Sequence, residues 1–533
     1  MKKIFISILA GIALLTLSCT DELEQHNKGQ LTDGNFFKTE ADATAAVDGI
    51  YAILVHSDKN MPLYGGQILY LNDLAADYMT VGSNNSPETS AIAYVTYGAS
   101  NFEIQCTWEQ LYKGIARANT AIENIPNVTA SDEVKQRLIN EAKFLRALFY
   151  FNAVQFFGEI PLIKTTADAY KPLTRNAVND VYDFIIEDLE DAQALPLSFT
   201  GSNTGRATTG AAKALLARVY LVRSSLPRGT NTWEVSGTAT EDLNNAVKYA
   251  YEVINGNQYE LFSNFYDAFD PAKKNGKEHI FSAQYTYGQQ GGTAGNASAH
   301  CTWSTGFNHS LPVLITSNVD KFYNTYAAGD QRRKGSYAKQ LNYPAKSKID
   351  PSKDSIFIFD VPRFRKFIDT TVVLNWMASA INTDIIRLAD VYFTLAEALN
   401  ELSGPDNAYN GITAYDALNE IRRRAFREGK YSADGTAPAA HDLSGLDQAS
   451  FRETLQQERY FEFVTEQTRW FDLVRWKKLV QSYQGIVGKE QASHRNYRFP
   501  IPQAERNLNP EGLWQNYGYD GAKGDKPYYY DYN

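Results

Sequence analysis

The stretch Phe451 to Trp476, FRETLQQERYFEFVTEQTRWFDLVRW, contains no Gly, no Pro and few β-branched residues. That composition predicts one long helix. At roughly 100° per residue, Phe451, Leu455, Glu458, Glu462, Glu466, Arg469, Asp472, Leu473 and Trp476 share one face. Tyr460, Phe463, Val464, Trp470, Phe471 and Val474 fall on the other. A helix that is aromatic on one side and charged on the other is expected to be buried on both. Buried carboxylates need partners. They form either a catalytic cluster or a structural ion-pair network, and the choice separates an enzyme from a binding protein.

The rest of the chain narrows the classes. Its 533 residues suffice for a large core, and length alone allows about three domains. With 44% hydrophobic and 21% charged residues, the body is globular and not disordered. A formal charge of -9 excludes a nucleic-acid partner, because phosphate contacts need a basic surface. The 34 Tyr offer flat apolar faces with polar edges. Three Cys with no CxxC cannot build a disulfide framework. Cys106 and Cys301 read as small buried residues, and their spacing lends no support to a disulfide between them.

Lys2 and Lys3, an apolar run from Ile4 to Leu17 and then Ser18-Cys19 make a secretory signal. The run is shorter than the roughly 20 residues a membrane span needs. Cys19 directly after a small residue resembles a bacterial lipoprotein signal. Residues 1–18 are then a leader, Cys19 the lipidated first residue and 19–34 a polar tether. Asp21 and Glu22 resemble the surface-export signal of Bacteroidetes lipoproteins. More than one acyl chain anchors a protein stably without a spanning helix.

From about residue 35, helical patterns dominate. Thr39 with Asp42 forms a capping-box signature before a helix near 40–55. Trp108, Leu111, Tyr112, Ile115 and Ala118 lie at helical spacing within 103–125. Thr129 and Asp132 are placed to cap a helix over 132–157, which Gly158 and Pro161 end. Further helices fit near 175–194, 208–224, 241–255, 385–402 and 411–427. Residues 256–380 differ, being rich in Gly, Asn, Ser, Thr and aromatics. Gly288 to His300 is a loop by composition, and short strands fit Ile280–Tyr285 and Ile356–Phe359. Trp108 and Trp376 read as core.

Four stretches together carry a resemblance: EAKFLRALFYFNAVQFFGEIPLI (Glu141 to Ile163), RLADVYFTLAEALNE with AYDALNEIRRRAF (Arg387 to Phe426), ERYFEFVTEQTRWFDLVRW (Glu458 to Trp476), and RFPIPQAERNLNPEGLWQNYGY (Arg498 to Tyr519). Behind a lipoprotein leader, and in this order, they resemble the SusD/RagB family of Bacteroidetes outer-membrane lipoproteins. WEQLYKGIARANTAI (Trp108 to Ile122) adds to the match. One departure is Gln467-Thr468, where the family usually has Gly after the glutamate; Gln is the better helix former, so the helix is expected to run on.

The resemblance implies a mostly α, SusD-like fold. Four tetratricopeptide-like helix pairs form the scaffold, and an irregular, loop-rich region with a few short strands carries the ligand. Residues 35–533 form a single unit, with an N-terminal helical part over about 35–255, a loop-rich insertion over about 256–380 and a C-terminal part over about 381–533. It further implies a surface-exposed, lipid-anchored protein of the cell outer membrane, non-catalytic, which captures glycans as a lid on a SusC-like TonB-dependent transporter. Some family members take oligopeptides instead.

Glycosidases need two carboxyl groups about 5–5.5 Å or 6.5–9.5 Å apart, and neighbours among Glu458, Glu462 and Glu466 could meet that. The alternative is ion pairing to Arg387, Arg422, Arg423 or Arg424. Ion pairing is preferred, since catalytic carboxylates normally project into a cleft and these lie on a helix whose other face is aromatic. The seven His show no HxxxH or HExxH spacing, so no metal is expected, and no phosphate-cradling motif calls for a cofactor.

Sugar rings stack their C–H faces on aromatic side chains, while their hydroxyls need polar partners. Two segments mix these residue types. One holds Asp77, Asn85, Tyr94 and Tyr97; the other holds Tyr287, Trp303 and Phe307. Packing under its own loop is the rival reading for each. It is preferred for Tyr94 and Tyr97, and it balances binding for Trp303.

Overall fold

The structure is a computed structural model, and it describes residues 36–56, 61–81, 86–286, 313–314, 319–343, 355–367 and 381–523. Helices hold 54% of the residues and strands 9%, so the protein is mostly α. The first helix, α1 (Glu40–Val55), starts on the capping box that Thr39 and Asp42 predict. After a short helix, α2 (Pro87–Ala93), come α3 (Phe102–Asn124) and α4 (Asp132–Phe157). The cap of α4 is Ser131, whose hydroxyl accepts from the Val134 amide, and not Thr129. Thr129 instead donates its backbone N–H to the Lys38 carbonyl. Gly158 ends α4 at φ +75°, a left-handed position that favours glycine. There follow α5 (Val178–Ala192), α6 (Thr209–Ser224) and α7 (Ala239–Ile254).

Each long helix packs on its chain neighbours: α3 on α1 and α4, α4 on α5, and α6 on α7. Arg146, inside the FLRA stretch, crosses from α4 to Asp188 on α5 through two 2.8 Å bonds. Trp108 is buried on α3 against Phe157. The later elements close onto this body. A two-residue strand, β1 (Met79–Thr80), pairs with β3 (Val313–Leu314); β2 (His279–Ala283) pairs with β6 (Thr383–Arg387), and β4 (Tyr337–Tyr343) with β5 (Ser355–Phe364), all antiparallel. A short α8 (Gln331–Ser336) precedes β4. The helix expected from residue 385 begins instead at Leu388, because residues 383–387 are drawn into the ladder with β2; it is α9 (Leu388–Ser403), followed by α10 (Ala414–Phe426).

The expectation of one helix through Trp476 is corrected. The chain forms α11 (Gln448–Phe463), breaks, and resumes as α12 (Arg469–Arg475). Thr465 and Gln467 both sit at left-handed φ, +66° and +61°. Backbone amides at the break leave the helical ladder for side chains of the 72–78 segment. Thr465 N–H donates to the Tyr78 hydroxyl at 3.0 Å, Gln467 N–H to Asp73 Oδ2 at 2.8 Å and Phe471 N–H to Asn72 Oδ1 at 3.2 Å. The position where the family favours Gly is thus a left-handed one, which costs a non-glycine residue roughly 1–2 kcal/mol. Long-range hydrogen bonds override helix propensity here.

The glutamates of α11 and the break are buried in a network of ten charges. The carboxylates are Glu278, Asp330, Glu458, Glu462 and Glu466; the cations are Arg332, Lys366, Arg387, Arg422 and Arg424. Arg387 uses all five of its N–H donors: Nε to Glu466 at 2.7 Å, Nη1 to Glu278 and Glu462 at 2.9 and 2.7 Å, Nη2 to Glu466 at 2.9 Å and to the Glu462 carbonyl at 3.0 Å. Arg423 lies outside the network and pairs with Asp442. The surrounding arginines hold the Glu462 carboxyl at about 2, below its ordinary range, against the opposing effect of burial. Burial does the reverse to Asp73, raising it to about 7.

Removing one charge from this network should be costly. Glu462→Gln is expected to lose about 3–5 kcal/mol in urea denaturation, because it strands buried guanidinium groups. The Glu462 contribution is present above its unfolded pKa of about 4.3 and is lost as pH falls through about 2. Asp73 has the opposite sign: its contribution is full below its unfolded pKa of about 3.9 and is lost as pH rises through about 7. Asp73→Asn should therefore gain stability relative to the parent between pH 4 and pH 8, read from paired unfolding curves.

Candidate functional site

The residues expected to meet a ligand separate by depth. Asp77 is fully buried, and Arg469 grips its carboxylate through Nε at 2.9 Å and Nη2 at 2.8 Å. That charge holds the Asp77 carboxyl below its ordinary range although burial opposes it. Tyr97 is 1% exposed and stacks on Phe499, ring centroids 4.9 Å apart. Both are corrected from ligand contacts to parts of the core, since neither presents a surface to solvent. Tyr285, opening the second segment, is also buried. Asn85, Tyr287, Trp303 and Phe307 lie outside the described residues, as do Cys19, Cys301 and Trp376.

Tyr94 is different. It caps the C-terminus of α2 and keeps 38% of its surface exposed. The next residue, Val95, is buried at φ +50°. A β-branched residue at positive φ is a genuine outlier. Two hydrogen bonds hold it there: Val95 N–H to the Ile92 carbonyl at 3.2 Å and Thr96 N–H to the Ala91 carbonyl at 2.9 Å. The reversal sends Val95 and Tyr97 inward and leaves the Tyr94 ring outside. Backbone strain of this kind is retained where the surrounding structure over-determines it, and it clusters at ligand sites.

The ring also meets backbone along one edge. Gly488, at φ +88°, lies against the Cδ1–Cε1 edge: a Cβ there would stand 2.7 Å from Tyr94 Cδ1 and 2.9 Å from Cε1, but 3.9 Å from Cγ. Only glycine meets both demands, the left-handed backbone and the close approach. The backbone therefore fixes one edge of the ring, and the side chain keeps exposed surface on which a ligand could stack. Sequence reasoning missed Gly488 because nothing local marks it as the partner of a ring almost 400 positions away; its one signal was the Gly485–Gly488 spacing of a turn.

The C-terminal part is matched by the model of the SusD family over residues 217–519, more than half of the chain. The chain belongs to the SusD family. A second family model, described as starch-binding and associating with the outer membrane, matches residues 24–221. SusD-like protein P2 of Formosa agariphila is 29% identical, covering 97% of this chain and all of that protein. The structure of a SusD superfamily protein from Parabacteroides distasonis superposes with a TM-score of 0.73 at 25% identity, covering 92% of this chain and 100% of that one. Surface glycan-binding protein A from Bacteroides thetaiotaomicron, solved in complex with laminarihexaose, superposes at 0.69 with 19% identity, covering 90% and 99%.

In this SusD-family chain the carboxylates of α11 and of the break beyond it are taken up by ion pairs. Glu458, Glu462 and Glu466 are all buried, and each is bonded to a guanidinium or ammonium group. A general acid needs its pKa raised toward the working pH, whereas Glu462 is lowered to about 2. A cleft of about 490 Å³ opens elsewhere, among Phe199, Arg206, Tyr259, Lys277 and His279. Its charged groups are already engaged: Arg206 with Glu141 and Asp48, Lys277 with Glu260. Among the described residues no cluster of His, Cys, Asp or Glu is arranged to hold a metal ion, and no helix is long and apolar enough to cross a membrane.

The depth difference makes a contrast between two variants. Asp77→Ala leaves the Arg469 guanidinium without its partner and should cost about 3 kcal/mol of stability. Tyr94→Ala removes a half-exposed ring and should cost about 1 kcal/mol or less. Chemical denaturation of the two proteins side by side checks both numbers.

Proposed function

We propose that this protein is a cell-surface, non-catalytic glycan-binding subunit of a SusCD-type uptake system, capturing oligo- or polysaccharide for import. The observation that carries the reading is the Tyr94 ring, held outward by the strained Val95 and fixed at one edge by Gly488. A sugar presents an apolar C–H face to such a ring, and its hydroxyls turn to polar neighbours. The starch-binding description of the N-terminal family model and the laminarihexaose bound by the Bacteroides thetaiotaomicron relative support a glycan over other ligands.

On this reading Cys19 carries the lipid that holds the protein on the outer membrane. Asn85, Tyr287, Trp303 and Phe307 are the further residues proposed to contact the glycan. The helical body docks on a SusC-like TonB-dependent transporter, and each sugar contact is weak until the two subunits enclose the ligand. The buried ion network stays structural.

Isothermal titration against a panel of neutral polysaccharides and a peptide pool tests this. Heat with at least one glycan and none with peptides is expected. Tyr94→Ala should weaken that glycan about tenfold, equivalent to about 1.4 kcal/mol. Heat from peptides alone would assign the protein to oligopeptide capture instead.

A further inference from the structure

The turn that meets the edge of Tyr94 has its own chemistry. Ile486 and Lys489 point inward and are buried, while Val487 is 70% exposed. Lys489 is an unusual anchor: its ammonium group is buried and donates to the Leu74 carbonyl at 3.1 Å. Burying an ammonium group is unfavourable unless it is hydrogen-bonded, so this bond ties the turn to the 63–75 segment. Tyr483, just before the turn, donates to the Ala75 carbonyl at 2.5 Å. Backbone bonds from Ile486 N–H to the Tyr483 carbonyl and from Lys489 N–H to the Ile486 carbonyl stiffen it.

Glu490 follows, exposed, with both carboxylate oxygens 3.0 Å from the Gly488 N–H. The same glycine therefore supports the ring on one side and fixes a carboxylate on another. Those backbone bonds also favour the ionised form of Glu490. A carboxylate offers about four acceptor directions, and one shared N–H leaves most of them open.

We propose that the turn Gly485–Glu490 is the second edge of the sugar platform, with Gly488 seating the Tyr94 ring and Glu490 accepting hydrogen bonds from the hydroxyls of a neutral glycan. The inference rests on the glycan-binding reading above and adds the ligand class. A carboxylate fixed on the glycine that meets the ring edge favours uncharged, hydroxyl-rich sugars. It repels uronic or sulfated ones, as like charges in proximity do.

The test uses the full chain and four variants, Tyr94→Ala, Gly488→Ala, Glu490→Gln and Glu490→Lys, each titrated with laminarin, starch, xyloglucan, the polyuronate alginate and the peptide pool. The parent should bind at least one neutral glycan and not alginate. Glu490→Gln should weaken the neutral glycan by about tenfold or more, the loss expected for a hydrogen bond to a charged group. Gly488→Ala should weaken it as much as Tyr94→Ala does, because the added Cβ collides with the ring edge and pushes the ring out of place. Glu490→Lys should admit alginate. Far-ultraviolet circular dichroism confirms folding, and Glu490 is exposed, so its variants keep the test valid if Gly488→Ala unfolds. If Tyr94→Ala loses the glycan while both Glu490 variants bind as the parent does, the turn takes no part and the glycan-binding reading survives alone. A parent that prefers alginate overturns the neutral-glycan assignment but not glycan binding. If no glycan gives heat, both readings fall.

Discussion

Arg387 is the point on which the architecture hangs. Its guanidinium spends all five donors on Glu278, Glu462 and Glu466. Those acceptors lie before β2, on α11 and at the break beyond it, while Arg387 itself ends β6. Arg332 and Arg424 extend the same charge lattice to α8 and α10. Taking such charges out of water is expensive, and only near-complete pairing offsets it. Five carboxylates against five cations provide that pairing. The network demands that every contributing element sit in one place, so it orders a region whose strands are short and whose connections are irregular.

The break between α11 and α12 follows from this constraint. Glu466 must reach Arg387 and Lys366, and Gln467 must reach Asp73. A continuous helix cannot aim both. The chain accepts two left-handed residues, and the amides released from the helix find partners on the 72–78 segment. The same trade recurs at Val95, where a strained φ turns the chain so that Tyr97 enters the core and Tyr94 stays out. At the break long-range hydrogen bonds outweigh local backbone preference, and at Val95 the two bonds that close the end of α2 do so.

This arrangement separates the two tasks of the protein. The ion network around Arg387 lies in the interior, where it holds elements together and is closed to a ligand. The surface candidate is made from weaker materials: a half-exposed ring, a glycine at its edge and a backbone-pinned carboxylate. Stacking and single hydrogen bonds give modest affinity each, which suits a protein that must release what it captures.

Much of this was legible in the residues. Helical spacing and caps located the helices near 40–55, 103–125, 132–157 and 208–224, because those signals act within a few residues of one another. The family fingerprint was legible as well, since it lies in contiguous stretches such as FLRA and QNYGY. The ion-pair reading of Glu458, Glu462 and Glu466 followed from burial and helix geometry, with Arg387, Arg422 and Arg424 rightly named as partners. Tertiary structure decided the rest. That Arg332, Lys366 and Glu278 join the network, that Asp77 and Tyr97 turn inward while Tyr94 does not, and that Gly488 meets a ring nearly 400 residues distant all depend on which segments become neighbours. Local propensity acts over a few residues, but burial and long-range hydrogen bonding are set only once the whole chain has closed.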